Sequence, residues 1–398
     1  MLGAIYTGLS GLQAFSKGLQ TISNNVSNLN TLGFKATSTR FSDVFTYGGG
    51  GLTFFNNEND IKVGNGVRFS SAHVDFSQGD LQQTSGDLDL ALQGSGFLVL
   101  IKNGQTFYTR TGQFVVDKDG YISLQNDKDY RLAVLDSSGR AVTINLDSRR
   151  TSAPVATTTI KFADNLSSSA TTASIADIAV YDSLGGKQTW QVKFNKDTAA
   201  GLNQWNVAVS DQNGVVVGST VLKFIGSSVD PTTAKLTVSS SPAGANPLNV
   251  VLDFSTGVTS FSAGSTSTLR SASVDGNGVG ALTAVTVNSE GKVTLAYSNS
   301  KTDILEAVAI AEFRDPQQLR RISGGLYQSD GNGPVRMVGS GVEGAGRLLS
   351  KQLEGSNTDL SKQFGDLILI QRGFQASSQV VSATNDMIQQ LFGIRGQG

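Results

Sequence analysis

Apolar residues recur every three or four positions at the N-terminal end of the chain, which is the spacing of an amphipathic helix. Four glycines interrupt the pattern, and each costs about 1 kcal/mol relative to alanine in a helix interior. The pattern therefore predicts a helix from Leu2 to Leu29, with Gly33 as its stop, that forms only when a partner packs against it. The residues predicted to face that partner are Leu2, Ile5, Leu9, Leu12, Leu19, Ile22 and Val26.

The C-terminal end carries a heptad pattern. A capping box is predicted to start the helix, with Ser356 as N-cap and Asp359 at N3, and Gly393 is predicted to end it. A second row four residues on from the heptad row is apolar at both ends and polar in the middle, which in a coiled coil fixes register. The heptad row is Leu360, Leu367, Phe374, Val381 and Ile388, and the companion row is Phe364, Gln371, Ser378, Asn385 and Phe392.

Short alternating segments separated by Gly, Asn and Asp turns fill the chain between the two ends, and these predict β-hairpins. Ser/Thr-rich stretches at 151–174 and 226–273 mark a change of composition and predict an inserted domain. The predicted fold is mainly β with paired terminal α-helices and nested discontinuous β domains. The predicted domains are a helical coiled-coil domain (1–33 and 354–398), linkers (34–69 and 340–353), an inner β domain (70–144 and 284–339) and an outer β domain (145–283).

Composition excludes most catalytic and binding chemistry. The formal net charge is −1, which supplies no basic excess for a nucleic acid or an anionic membrane. The chain has no Cys and one His, His73, so thiol chemistry and multi-histidine metal sites are excluded. No apolar run approaches the roughly 20 residues of a spanning helix, and no secretory signal peptide is visible. We therefore expect no enzyme activity, no cofactor, no metal site and no membrane insertion.

Three segments imitate functional motifs. Residues 339–344 (GSGVEG) match a dinucleotide-binding fingerprint, but no βαβ pattern surrounds them, so a flexible connection is the better interpretation. Asp87 and Asp89 have the spacing of paired glycosidase carboxylates, yet we expect two solvated aspartates on a strand. His73 is expected to be a half-buried strand residue.

Longer motifs carry a family resemblance. Residues 22–35 (ISNNVSNLNTLGFK), 353–360 (LEGSNTDL) and 371–375 (QRGFQ) resemble the terminal signatures of flagellar rod and hook proteins. Residues 76–79, 88–97 and 108–114 resemble the β-domain motifs of that family. The matching signature residues are Asn24, Asn25, Asn30, Thr31, Gly33, Phe34, Lys35, Ser356, Asn357, Asp359, Gln371, Arg372, Gly373 and Phe374.

Segments of the middle, at 180–185, 203–205, 222–224 and 285–291, look like the outer domain and return strand of the hook members of this family. The resemblance implies a self-assembling, curved, flexible extracellular tube that couples the rod to the filament. It also implies export by the flagellar type III apparatus without a cleaved signal peptide. The implied partners are further copies of the chain, the distal rod protein, the hook cap and the hook–filament junction protein.

Other functions stay open at this stage. A distal rod subunit is the alternative within the family, since residues 47–60 lengthen the linker after the N-terminal helix. A carbohydrate-active or adhesin-like β protein is the alternative outside it.

Overall fold

The computed structural model describes residues 2–45, 64–70, 72–199, 203–241, 244–331 and 335–395. The chain divides into two compact units. Unit 1 comprises Met1–Leu146, Val285–Thr294 and Ile304–Gly398, and unit 2 comprises Asp147–Ala284 and Leu295–Asp303. The predicted division into four domains stays a prediction. The long linker at 47–60 lies outside the described residues.

Helix α1 (Leu2–Ser27) confirms the N-terminal helix, although it ends before the predicted Leu29. The side chain of Asn28 donates to the Asn24 carbonyl oxygen at 2.9 Å, and such local bonds favour turns over helix. The strands that follow are β1 (Thr37–Ser38), β2 (Phe41–Phe45), β3 (Gly64–Phe69), β4 (His73–Val74), β5 (Leu81–Gln83), β6 (Asp89–Gln93), β7 (Phe97–Lys102), β8 (Gln105–Thr109), β9 (Thr111–Val116), β10 (Ile122–Leu124), β11 (Arg131–Leu135) and β12 (Ala141–Thr143).

The middle of the chain is built from strands. They are β13 (Thr151–Ser152), β14 (Thr159–Asn165), β15 (Thr172–Tyr181), β16 (Lys187–Lys196), β17 (Gln204–Ser210), β18 (Val216–Ile225), β19 (Ser228–Val229), β20 (Lys235–Ser240), β21 (Leu248–Asp253), β22 (Val258–Thr259), β23 (Arg270–Val274), β24 (Gly280–Val287), β25 (Lys292–Tyr297) and β26 (Thr302–Ala307).

The last part of the chain returns to unit 1 and ends in helix α2 (Leu360–Arg395). The helix continues past Gly393, so the predicted stop at that glycine is wrong. The strands before it are β27 (Ile310–Phe313), β28 (Leu319–Arg321), β29 (Leu326–Ser329), β30 (Val335–Val338), β31 (Arg347–Ser350) and β32 (Gln352–Glu354). Mainly β structure with helices at both ends confirms the predicted fold class.

One large antiparallel sheet organises unit 1, in the order β28-β29-β8-β7-β11-β10-β9-β6-β31, with β12 beside β11 and β27 between β7 and β30. Its buried residues include Leu90, Leu92 and Leu98. Two smaller ladders join N-terminal to later segments, β1 with β4 and β5 with β32. The segments predicted as linkers therefore contain paired strands.

Unit 2 has its own sheet, in the order β15-β16-β17-β18-β19-β22-β14-β21-β20, with β23 beside β14. Strand β14 runs parallel to β21 and β22 and antiparallel to β23. The core contains both tryptophans, Trp190 and Trp205, and the stacked rings of Phe162 and Phe254, whose centroids lie 4.5 Å apart. Strands β17 and β18 form a hairpin around the turn residues 211–214, in keeping with the alternation that predicts hairpins in this part of the chain.

The three segments that imitate functional motifs lie in turns and strands. Residues 339–344 form turns that lead into strand β31, and the α-helix needed for a dinucleotide site does not follow. Asp87 pairs with Lys351 at 3.0 Å, whereas Asp89 is buried, so the expectation that both aspartates are solvated is wrong for Asp89. His73 is half-buried in β4, as predicted. Among the described residues, no helix is both long and apolar enough to span a bilayer.

Candidate functional site

Helices α1 and α2 pack closely along a seam of glycines. A Cβ atom added to Gly8 would lie 2.6 Å from Val381 Cγ2, and one added to Gly18 would lie 2.6 Å from Ile370 Cδ1. From Gly8 to Gly18 the residue numbers rise along α1, while those of the contacted residues fall from Val381 to Ile370 along α2. The two helices are therefore antiparallel. Both distances are too short for a real Cβ contact, so these positions admit only glycine without a shift of the neighbouring atoms.

The same seam contains small residues on both helices. Gly11 faces the Ser377 side chain, and a Cβ on Gly373 would lie 2.5 Å from the Phe15 ring. Three of the four glycines that weaken the isolated α1 helix, Gly8, Gly11 and Gly18, therefore permit its close contact with α2. This role was not recognised in the sequence, where the glycines counted only as a cost.

The heptad row of α2 is only partly enclosed. Leu367, Val381 and Ile388 are half-buried, whereas Leu360 and Phe374 are exposed. On α1, Ile22 is buried, Leu9 is exposed, and the side chain of Leu2 lies outside the description. The other predicted α1 residues are half-buried, namely Ile5, Leu12, Leu19 and Val26. The role of these residues in assembly stays a prediction.

The predicted companion row of α2 lies on the wrong side of the heptad row. Its members Phe364, Gln371, Ser378, Asn385 and Phe392 are exposed. The enclosed row lies three residues on from the heptad row instead, and consists of Gln363, Ile370, Ser377 and Thr384. The glycines of α1 accompany this choice, since Gly11 lies against Ser377 and Gly18 lies against Ile370.

A buried ionic cluster, here called the latch, lies where both chain ends meet the sheet of unit 1. It consists of Lys35, Arg110 and Glu354. The Glu354 carboxylate accepts hydrogen bonds from Lys35 Nζ at 2.6 Å and from Arg110 Nε at 3.2 Å. It also accepts from the Gly79 amide at 2.8 Å. The side chains of Lys35 and Glu354 are fully buried.

The remaining donors of the latch are satisfied by backbone carbonyls. Lys35 Nζ donates to Ser77 O at 2.6 Å, and Arg110 donates to Gly96 O at 2.6 Å and to Leu92 O at 3.2 Å. Burial lowers the pKa of Lys35 below its ordinary value, and the Glu354 carboxylate opposes this shift. Removal of one partner from such a pair is strongly destabilising because it leaves a buried charge uncompensated.

Two asparagines of the signatures connect the chain ends around the latch. Asn25 Nδ2 donates to Gln363 Oε1 at 2.9 Å and to Thr37 O at 2.8 Å. Asn357 Oδ1 accepts from the Ala36 amide at 2.7 Å, while its Nδ2 donates to Asp75 O at 2.8 Å. Each amide side chain thus bonds to a segment from the opposite end of the chain.

Gly33 and Phe34 complete this connection. The Gly33 amide donates to Glu354 O at 2.7 Å, and its φ of +65° is a conformation that glycine adopts without strain. Phe34 is buried with the guanidinium of Arg321 4.0 Å from its ring centroid. The signature segment therefore changes direction at Gly33 and enters the sheet region.

The N-cap of α2 differs from the prediction. The Asp359 side chain accepts from the Lys362 amide at 3.1 Å, and the Asp359 carbonyl accepts from the Gln363 amide, so Asp359 is the N-cap. Ser356, predicted for that role, bonds to Thr358 instead. The physical reason is Asn357, whose bonds to Ala36 and Asp75 hold residues 356–358 outside the helix.

The other signature residues lie farther from the latch. Thr31, Ser356 and Gly373 are half-buried, while Asn24, Asn30, Asp359, Gln371, Arg372 and Phe374 are exposed. Arg110 and Gln363 were not predicted as site residues. Nothing in one sequence pairs Arg110 with a carboxylate 244 positions away. In the described part of the chain, no group of three or more metal-binding side chains is placed to hold an ion.

The seam predicts that Gly18→Val loosens the helix pair. Valine is a better helix former than glycine, so helix propensity alone would stabilise α1. A loss of stability must therefore come from overpacking against Ile370, which costs about 1–3 kcal/mol. We expect the α1 and α2 amides of the full chain to exchange hydrogen about tenfold faster. Gly3→Val is the matched control, since no atom of another described segment lies within 4 Å of a Cβ at Gly3. Equal protection in the Gly18 variant would contradict close contact at this position.

The latch predicts that Glu354→Gln destabilises unit 1 by about 3–5 kcal/mol, because Lys35 and Arg110 lose their buried counter-charge. Denaturant unfolding followed by far-ultraviolet circular dichroism measures the loss. Tryptophan fluorescence should be unchanged, since both tryptophans lie in unit 2. The control is Glu343→Gln, which breaks an exposed pair with Arg336 and should cost less than about 1 kcal/mol. Equal effects of the two substitutions would rule out a special role of the latch.

Four family profiles match successive parts of the chain. They are Flagella basal body rod protein (residues 5–35), Flagellar hook protein FlgE/F/G D1 domain (91–162), Flagellar basal body protein FlaE D2 domain (145–277) and Flagellar basal body rod FlgEFG protein C-terminal (349–394). The first and last contain the residues of the seam and the two connecting asparagines, Asn25 and Asn357.

Curated relatives match over almost their whole length. The flagellar hook protein FlgE of Escherichia coli is 28% identical over 98% of this chain and 100% of its own length. The FlgE proteins of Brucella suis (28%, 99% of both chains) and Treponema pallidum (27%, 99% of this chain and 100% of its own) are similarly related. Profiles for both ends, the D1 domain and the D2 domain match in family order, so this chain is similar to flagellar hook and basal-body rod proteins over almost its whole length.

Proposed function

We propose that this chain is the structural subunit of a bacterial flagellar hook, a curved, flexible tube that transmits torque from rod to filament. One observation carries the proposal. The seam with α1 covers one side of α2 and leaves large apolar side chains exposed elsewhere on it, including Phe364 (50%), Ile368 (52%) and Leu369 (68%). Apolar surface of this kind is typical of interaction sites, and a polymer of identical chains supplies the partner.

The comparisons support the hook role over the alternatives. The relatives are named as flagellar hook proteins and extend over nearly the full chain. A D2-domain profile matches at 145–277, within the segment 145–283 that the sequence predicts as an outer β domain. No specific observation favours a distal rod subunit, a carbohydrate-active protein or an adhesin. The proposed role is structural and uses no catalytic residue.

The proposal includes the location and partners of the subunit. The chain would leave the cell through the flagellar type III export apparatus without a cleaved signal peptide and assemble under the hook cap. The assembled tube would contact the distal rod protein at one end and the hook–filament junction protein at the other. These partners follow from the family resemblance.

Deletion of the gene tests the proposed function directly. We expect cells that keep a basal body and rod but have no hook in electron micrographs of purified flagellar bases, because no other subunit would build the tube. Swimming should be lost, and the wild-type chain supplied from a plasmid should restore both hook and swimming. Normal hooks in the deletion strain would refute the proposal, and a truncated rod would favour the distal rod alternative.

The insertion of unit 2 gives a second prediction, on curvature. Ser152 and Gly280 are paired opposite each other in an antiparallel register, so a short Gly/Ser linker can replace residues 153–279. We expect tubes that still assemble, because the helix seam and the latch are untouched, but that lose their curved form and impair swimming. Electron microscopy of the hooks measures curvature. A variant that is stable and exported yet forms no tube would place unit 2 in the assembly core.

A further inference from the structure

Helix α2 carries an exposed apolar row, here called the ridge, on a side that α1 does not cover. The ridge is Leu360, Phe364 and Ile368, which are 39%, 50% and 52% exposed. Their spacing of four residues aligns them over two helical turns, about 12 Å. Arg372 continues the row by one more turn and is also exposed.

A groove of about 300 Å³ lies on another side of the same helix. Its apolar lining includes Phe15, Phe41, Leu369 and Ile370, and the rings of Phe15 and Phe41 lie 5.7 Å apart. Leu369 is five residues from Phe364, which places the two about 140° apart around the helix axis. Ridge and groove therefore point in different directions and cannot meet within one chain.

Charge on the two surfaces is complementary. Among the described residues that line the groove, Asp75 and Asp366 are anionic and Lys362 is cationic, whereas the ridge ends at the cation Arg372. A ridge placed in the groove would bring Arg372 toward an acidic rim. Opposite charges at the edge of an apolar contact give it orientation and specificity more than affinity.

A glycine beside the ridge is unexplained within one chain. Gly365 lies in the interior of α2, where glycine costs about 1 kcal/mol relative to alanine, and no atom of another described segment lies within 4 Å of a Cβ at this position. The seam glycines, by contrast, are each in close contact with α1 or α2. An open glycine next to exposed apolar residues would allow another chain to approach closely.

We propose that the ridge of one subunit docks into the groove of a second copy of this chain, with Arg372 at the acidic rim. The inference rests on the proposed function and specifies the surfaces through which the tube assembles. Two different surfaces make a heterologous contact, and repetition of such a contact generates rings or helical filaments. A tube needs this type of contact, since a self-complementary patch would close after two copies.

Cysteine cross-linking in assembled tubes tests the contact, and the chain suits it because it has no cysteine of its own. The variant Phe364→Cys with Leu369→Cys carries one thiol on the ridge and one in the groove. These positions are separated by about 7.5 Å of helical rise and 140° of rotation, beyond the usual Cα separation of a disulfide of about 4.4–6.8 Å. A link must therefore join two chains.

On oxidation we expect a ladder of three or more linked copies from the double variant and nothing beyond a dimer from either single variant. The matched control is Val380→Cys with Leu369→Cys, since Val380 is a similarly exposed residue of α2 outside the ridge, and it should give no ladder. Tubes without a ladder in the ridge–groove variant would overturn the inference and leave the proposed function intact. Absence of tubes from the wild-type chain would instead count against the proposed function.

If the double cysteine variant fails to assemble, exchange of the opposite charges at Arg372 and Asp366 tests the same contact. Arg372→Asp and Asp366→Arg should each raise the protein concentration needed for tube formation about fivefold, and their combination should restore it to near the wild-type value. Single variants without effect, or a combination no better than either, would overturn the docking of Arg372 at this rim.

Discussion

The connection between the helices and the sheet of unit 1 depends on one buried carboxylate, Glu354. It is fully buried, and Lys35, Arg110 and the Gly79 amide all donate to it. Lys35 comes from the segment after α1, Arg110 lies between two strands of the sheet, and Glu354 ends the last strand before α2. A buried carboxylate with three donors allows few alternative arrangements. If any donor moves away, the carboxylate is left uncompensated in the apolar protein interior, where an unpaired charge is costly. We infer that Glu354 fixes the register of the two chain ends more than it adds net stability.

Around that centre, bonds of moderate strength connect the two termini. Asn25 and Asn357 each join segments more than 300 positions apart, so each bond closes a long loop at an entropic cost. The α1–α2 seam adds close contact at glycine positions. Dispersion between closely spaced atoms stabilises this contact, in place of the interdigitated aliphatic side chains of an ordinary helix pair. Residues of this kind stabilise a helix pair less than a leucine seam would. The large apolar side chains of α2 are consequently left for contacts outside the chain.

The sequence predicted much of this structure from local patterns, and it failed where distant segments decide the outcome. Helical periodicity located α1, and alternation with turn residues located hairpins such as β17–β18. The companion row of α2 was assigned to the wrong side, because apolar Phe364 and Phe392 suggested an interior that lies at Ser377 and Ile370 instead. Asp359 rather than Ser356 caps α2 since Asn357 bonds across the chain. The pairing of Arg110 with Glu354 has no local signal at all.

The failure on the companion row has a physical origin that bears on function. A residue pattern specifies which side chains avoid water, but it does not specify whether the covering surface comes from the same chain or from another. In α2 the enclosed row has one large apolar member, Ile370, beside the polar Gln363, Ser377 and Thr384, and the exposed rows contain phenylalanine and leucine. For a monomer this distribution is unfavourable, since the largest apolar side chains remain in water. In a polymer it is the expected arrangement, because the intramolecular contact then sets only the position of the helices, while burial of the large side chains drives assembly and is realised only when the next subunit is added.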